Sequence, residues 1–430
     1  MKIIKKILKT ILILIIIGAI GVGGYFGYQY YLSIDNEETV EESETEESEE
    51  TISYSDDFKK VIEFEEIMLS GFENGKNEVD VSSINLSDDD ENQLWVSTCL
   101  KLSPYLYSLY GNTSYSTDGD IIKTIICQED DVEALLENEE TISASLETLM
   151  NEAESASSDM EKALVIHDAI IINNAYEEYG YESHTAGGML LYGSGVCDAY
   201  SNLYQYVMNK LGLTTYTYIS DSMSHAWNVI EIDDVYYHVD LTYDDSLLDD
   251  YDRLGMVLHD YFLVSDSLIN EDHSDYYIDY TCSEEISCED TSYDEQEFTD
   301  SNSPVIYYND HLYYIIYDET STHSYLLKDG EVFYDLGLWQ VSSDESSYYL
   351  TAAFSGLFIE DDYIYFNTAT EIIRVSLTDE SSNTVFTYSG DGMLAGIRLN
   401  GDKIDYLNLS YKISYQSVSV ASCSIESVTY

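Results

Sequence analysis

Cys197, His225 and Asp240 are the residues whose types and spacing suit chemistry. They lie in Gly195-Val196-Cys197-Asp198-Ala199-Tyr200, Ser224-His225-Ala226-Trp227-Asn228 and His238-Val239-Asp240-Leu241-Thr242. A thiolate is the nucleophile in cysteine chemistry, so such a cysteine needs a partner that takes its proton near neutral pH. A helix N-terminus supplies partial positive charge, and a histidine within hydrogen-bond reach supplies a base. Gly193 and Gly195 allow a tight approach to Cys197. This order of residues points to acyl transfer or amide hydrolysis.

The elements that must position these groups follow from local pattern. Cys197 to Leu211 reads as a helix with Tyr200, Leu203, Tyr204 and Val207 on its buried side, closed by Gly212 as C-cap. Trp227 to Ile232 and Val235 to Leu241 read as the strands of a hairpin. If Asp233 and Asp234 form a two-residue turn, Ile232 pairs with Val235 and His225 falls opposite Thr242. Asp240 then opposes Trp227, one diagonal step (about 7–8 Å at the backbone) from His225 on the same face. Asp-Asp is not the favoured turn pair, and a bulge there would flip the parity. His167, His184 and His238 are expected to be structural. The acids Asp244, Asp245, Asp249, Asp250 and Asp252 lack the glycine and spacing of an EF-hand and are expected to form a solvated loop.

These residues resemble the transglutaminase-like superfamily, in particular its bacterial surface branch related to kyphoscoliosis-type peptidases. The likeness runs through Glu161-Lys162-Ala163-Leu164-Val165-Ile166-His167-Asp168, Gly193 to Tyr200, His225 to Asn228, His238 to Asp245 and Asp260-Tyr261-Phe262-Leu263-Val264-Ser265-Asp266. It implies an α+β fold with a papain-like, transglutaminase-like core, in which a helix carrying the nucleophile packs on an antiparallel sheet. By position it makes Cys197 the nucleophile, His225 the general base and acid, and Asp240 the orienting carboxylate. Trp227 would wall the cleft, and Tyr192 is a candidate second oxyanion donor beside the Cys197 amide. Gly187 stands where family members often carry a bulky aromatic. The family includes peptidases, amidases, cross-linking enzymes and members without activity.

Around this core, Ile11 to Ile17 lies within an uncharged stretch from residue 10 to 34, preceded by Lys2, Lys5, Lys6 and Lys9. About 20 apolar residues cross a bilayer, and the flanking lysines place the N-terminus in the cytoplasm. Residues 1–34 are thus expected to be a membrane anchor rather than a cleaved signal, with the bulk of the chain extracellular. Residues 35–55 are an acidic, Glu/Ser/Thr-rich spacer. Residues 56–155 read as an α+β region, with helices at Phe58–Gly71, Leu94–Tyr110 (interrupted at Pro104) and Asp131–Glu154 and a strand at Ile121–Cys127. Residues 156–298 form the candidate catalytic domain, opened by Ser158 and Glu161 at capping-box spacing. Residues 299–430 read as β-rich. Within them, stretches beginning at His311, Asp362 and Asp402 resemble one another at intervals of roughly 40–50 residues, a propeller-blade period.

The formal net charge is −66 at pH 7, which excludes a nucleic-acid backbone as partner and attracts cationic ones. The six cysteines make no metal-site pattern, and no cofactor is expected. Cys282 and Cys288 are near enough in sequence to bridge or to stand as two thiols. The expected activity is membrane-anchored, cell-surface cysteine chemistry on peptide, protein or wall-peptide amides, with hydrolysis favoured. The alternatives are a cross-linking transglutaminase and an inactive binding module. Scarce basic residues make self-cross-linking the weaker case.

Overall fold

The computed structural model describes residues 54–430 except 246, 249–250, 253, 284, 310, 319, 339, 343–346, 350–353, 391 and 415–416. The candidate anchor and all but the last two residues of the acidic spacer lie outside the described residues. Among those described, no helix is long and apolar enough to cross a membrane.

The chain mixes helices with antiparallel sheets. Helix α1 (Asp56–Glu73) starts where Ser55 accepts the Phe58 amide at 3.2 Å. Strands β1 (Glu78–Asp80), β2 (Ser114–Asp118) and β3 (Ile121–Ile126) form a small sheet in the order β1-β3-β2. Helix α2 (Asp90–Leu102) ends ahead of Pro104, and a 3₁₀ turn over Pro104–Leu109 continues the path, because proline cannot donate into the preceding turn. Helices α3 (Glu129–Glu152) and α4 (Asp159–Asn173) follow. Ser158 caps α4 by accepting the Glu161 amide at 3.2 Å. Glu161 reaches back one residue further than a capping box expects, to the Ser157 amide at 2.6 Å.

Helix α5 (Ala186–Tyr192) leads through the left-handed Gly193 to helix α6 (Cys197–Lys210). Gly187 sits at a close approach rather than on a cleft wall. A Cβ there would lie 2.0 Å from the Pro104 carbonyl oxygen and 2.7 Å from the Tyr107 Cβ, so no aromatic fits. Helix α6 packs on a five-stranded antiparallel sheet. Its strands are β4 (Thr215–Ser220), β5 (His225–Ile232), β6 (Val235–Val239), β7 (Phe262–Val264) and β8 (Tyr276–Ile278), in the order β7-β6-β5-β4-β8. Asn228, fully buried on β5, stitches sheet to helix by donating to the Ser201 carbonyl at 2.9 Å. The α1 region is no separate layer: Phe58 meets Tyr206 of α6 edge-on at 5.8 Å, and buried Glu65 accepts from Ser103 and Tyr206.

The last 130 or so residues form successive antiparallel meanders. The three similar stretches found in the sequence occupy equivalent places, each the second strand after a two-residue turn. Tyr308 pairs with His311, Glu360 with Tyr363, and Asn400 with Lys403. Their shared pattern is therefore turn chemistry plus a strand buried on both faces. Leu254 and Met256, which precede β7, enter the core of these meanders, while Leu312 and Tyr314 join the core of the helical part.

The expected solvated acidic loop is corrected at its start. Asp244 and Asp245 are buried, on and just after the short helix α7 (Leu241–Asp244), and each has a partner; Asp249 and Asp250 lie outside the described residues. Asp245 accepts the Tyr200 hydroxyl of α6 at 2.5 Å. Asp244 faces His167 Nε2 at 3.2 Å and accepts the Tyr261 amide at 3.1 Å. His167 Nδ1 in turn meets Asp168 at 2.8 Å, and Asp168 also receives His259 Nε2 at 3.1 Å and the Val305 amide at 2.8 Å. This buried network joins α4, α7, the segment before β7 and the entry to the meanders.

Burial opposes the charged form of His167, but Asp168 and Asp244 outweigh it and raise the imidazole to about 9. A raised folded-state value means that the stabilisation is complete below the ordinary 6.5 and disappears as pH climbs through about 9. The substitution His167→Gln should cost about 3–5 kcal/mol at pH 7, the usual result of unpairing a buried charge. The melting-temperature gap between the two proteins should narrow from pH 6.5 to pH 10. A gap independent of pH would show that His167 carries no charge in the fold.

Candidate active site

Strand β5 begins with His225, whose ring is buried to 8% exposure. The preceding loop places Ser224 in a left-handed conformation (φ 52°), and the Cys197 thiol points at its carbonyl oxygen, 3.9 Å away. Asp233 and Asp234 both take positive φ, 52° and 66°, so the β5–β6 turn is the two-residue form with Ile232 paired to Val235. Short acidic side chains tolerate this left-handed geometry better than most residues.

The hairpin differs from expectation at its far end. Pairing stops at Asn228 with Val239, so Thr242 does not come opposite His225. The cause is Asp240. Its Oδ1 accepts the Thr242 and Tyr243 amides at 3.0 and 3.1 Å, capping α7 and turning the chain out of the sheet. Its Oδ2 is then presented to His225 Nε2 at 2.6 Å. With Nε2 engaged, Nδ1 is the ring nitrogen left for Cys197, which lines the same hollow as His225. Burial disfavours the imidazolium, but Asp240 and Cys197 outweigh it and raise His225 to about 10. Asp240 is fully buried, yet hydrogen bonds from His225 and from a second imidazole hold its carboxyl below the usual range.

That second imidazole is His273, whose Nε2 lies 3.0 Å from the same Oδ2. Sequence reasoning missed it, since it follows a short helix and has no motif of its own. Sequence reasoning also missed Tyr176. A two-residue parallel pairing, Ala175 with Ser194 and Tyr176 with Gly195, brings Tyr176 beside the start of α6. Burial and the Cys197 side chain raise its phenol above the usual value, against the pull of the nearby Cys197 backbone amide.

The two tentative cleft residues are placed elsewhere. Tyr192 ends α5, is 57% exposed, and packs edge-on against Tyr179 at 5.3 Å. Trp227 is 1% exposed and lies beneath the site, its ring stacked on His225 at 5.6 Å and its Nε1 donating to His238 Nδ1 at 3.1 Å. A small residue, Ala226, takes its place in the wall of the hollow over Cys197, which encloses about 350 Å³. Tyr176, Glu178, His184, Asp198 and Asp221 also line it, with Lys101 at one side. Asp198 binds Lys101 at 3.3 Å and His184 at 2.9 Å, so His184 borders the cleft while supporting its floor.

Among the described residues, three groups of side chains bring potential metal-ligating atoms together: His167 with Asp168 and His259, His225 with Asp240 and His273, and His238 with Asp266 and Cys288. Ordinary hydrogen bonds account for the first two. In the third, His238 Nε2 pairs with Asp266 at 2.9 Å while Nδ1 accepts from Trp227, leaving no ring nitrogen for an ion.

No protein-family model and no curated protein matches the chain. One solved structure, described as a crystal structure of a TGase, aligns with it at 17% identity and a TM-score of 0.22, over 30% of this chain. The aligned part spans 43% of that protein, under half its length.

Proposed function

We propose that the chain is a thiol acyl-transfer enzyme with a papain-like core, in which Cys197 attacks a peptide-type amide and water is the favoured acceptor. The reading rests on one observation: a buried carboxylate holds an imidazole at 2.6 Å, and that imidazole and a half-buried thiol line one open hollow together.

The geometry supports the following steps. The Cys197 thiolate adds to the amide carbonyl carbon, and the electron pair moves to oxygen. That oxyanion would meet the Cys197 amide and the Tyr176 hydroxyl, which already lie together. Imidazolium His225 gives its proton to the departing amine, and a thioester remains. Neutral His225 then takes a proton from water, whose oxygen attacks the thioester and releases the acid. Asp240 keeps Nε2 protonated, so Nδ1 is the nitrogen that cycles. An amine in place of water would give the cross-linking reaction. The open, charged wall of the hollow supports water as the ready acceptor. The uncharged stretch from residue 10 to 34 supports a cell-surface location, and the acidic surface supports peptide substrates that carry basic groups.

Two measurements test this reading. Iodoacetamide should alkylate Cys197 at pH 6–7 at least about tenfold faster than a free thiol of ordinary reactivity. His225→Ala or Asp240→Asn should remove that advantage, because the imidazolium raised to about 10 depends on both neighbours. A sluggish Cys197 indifferent to His225 would rule out the enzyme and favour a binding module. Tyr176→Phe should separate binding of the oxyanion from thiol activation. With p-nitrophenyl acetate the acylation burst should slow by about 10²-fold, the scale of one lost oxyanion donor. Alkylation, which makes no oxyanion, should stay within about threefold. Equal effects on both rates would remove Tyr176 from that role.

A further inference from the structure

We propose that His273 is a positioning residue of this site: its Nε2 hydrogen bond holds the Asp240 carboxylate in the plane that His225 requires. The proposal deepens the acyl-transfer reading and rests on it.

Asp240 receives four donors. The two amides on Oδ1 fix one end of the carboxylate, while Oδ2 is shared by His225 at 2.6 Å and His273 at 3.0 Å. With His225 alone, Oδ2 would be held only by the ring that moves charge during the reaction. His273 supplies a donor that takes no part in that cycle. It is itself fixed on every side. Its backbone amide donates to the Ile269 carbonyl at 2.9 Å, and its Nδ1 faces Asp272 Oδ1 at 2.6 Å. Asp272 is steadied in turn by the Tyr261 hydroxyl. The ring meets Trp227 edge-on at 4.7 Å, Tyr243 at 4.7 Å and Tyr261 at 5.5 Å, and is 1% exposed.

The charged and titratable groups around it are few. Asp240 and Tyr243 come from the turn into α7, His225 from β5, His238 from β6, Tyr261 from the approach to β7, and Asp272 is its own neighbour. Asp272 gives His273 a carboxylate of its own, so His273 and His225 do not draw on Asp240 alone. Its side chain is 45% exposed, which places that carboxylate at the surface.

A pair of amide substitutions isolates the hydrogen bond. Glutamine at this position can place an amide N–H near the site of Nε2, whereas the shorter asparagine reaches only the place of Nδ1, toward Asp272. On the full chain, with folding checked by melting temperature, the rate of Cys197 alkylation by iodoacetamide is read from pH 5 to pH 10. His273→Asn should lower the rate at pH 6.5 about tenfold and move the acidic limb of the profile upward. His273→Gln should restore the rate to within about threefold. Equal rates in the two variants, whether both normal or both slow, overturn the proposal. Asp272→Asn alters only a half-exposed side chain and keeps an acceptor near Nδ1. It should slow alkylation about two- to threefold, and no change there also overturns the proposal even if neither His273 variant folds. His225→Ala, measured alongside, keeps the two readings apart: a large effect there with none at His273 or Asp272 rejects the positioning role and leaves the thiol–imidazole pair standing.

Discussion

A carboxylate taken fully out of water costs several kcal/mol unless donors replace its hydration. Asp240 meets that demand with two backbone amides and two imidazoles, and the site takes its form from that solution. The amides come from the chain turning into α7, so satisfying the charge also ends the strand. The imidazoles come from different elements, one at the start of β5 and one after a short helix. Orientation of His225 toward Cys197 is thus a by-product of solvating one buried ion.

The same short segment repeats the device. Asp240, Asp244 and Asp245 are three buried carboxylates within six residues, and each docks a different part of the molecule. Asp240 holds the site, Asp244 holds His167 of α4, and Asp245 holds Tyr200 of the helix that Cys197 opens. A turn carrying three buried acids fixes the helix that Cys197 opens against the strand that His225 begins more firmly than loop packing would. Through Asp168 and the Val305 amide, the network extends to the first of the meanders. The β-rich part is therefore tied to the part that carries Cys197 by a polar contact as well as by the shared apolar core.

Much of the fold was legible because it obeys local rules. The break at Pro104, the Ser158 cap, the helix from Cys197 and the two-residue turn at Asp233 and Asp234 each follow from residues within a few positions. The recurring pattern near His311, Asp362 and Asp402 also proved local, marking three turn-and-strand units. The acidic run after Asp240 misled because composition alone reads several aspartates as solvent-facing. Two of them are buried, since their partners, His167 and Tyr200, lie 77 and 45 residues away. Trp227 and Tyr192 were assigned to the cleft by resemblance, and packing decided otherwise: the large ring fills space beneath His225, and the tyrosine leans on Tyr179.

By itself the sequence determined which residues can form a thiol–imidazole–carboxylate chain, and that His225 and Asp240 share one end of a hairpin. Residue type and strand period are enough for that. Only the tertiary structure decided that Tyr176 stands at the Cys197 amide and that a second histidine shares the Asp240 oxygen. Those contacts join segments 21 and 33 residues apart through a short parallel pairing and a loop (176 to 197, 240 to 273). Neither connection has a periodic pattern to read, because each exists only once the sheet and the helix have packed.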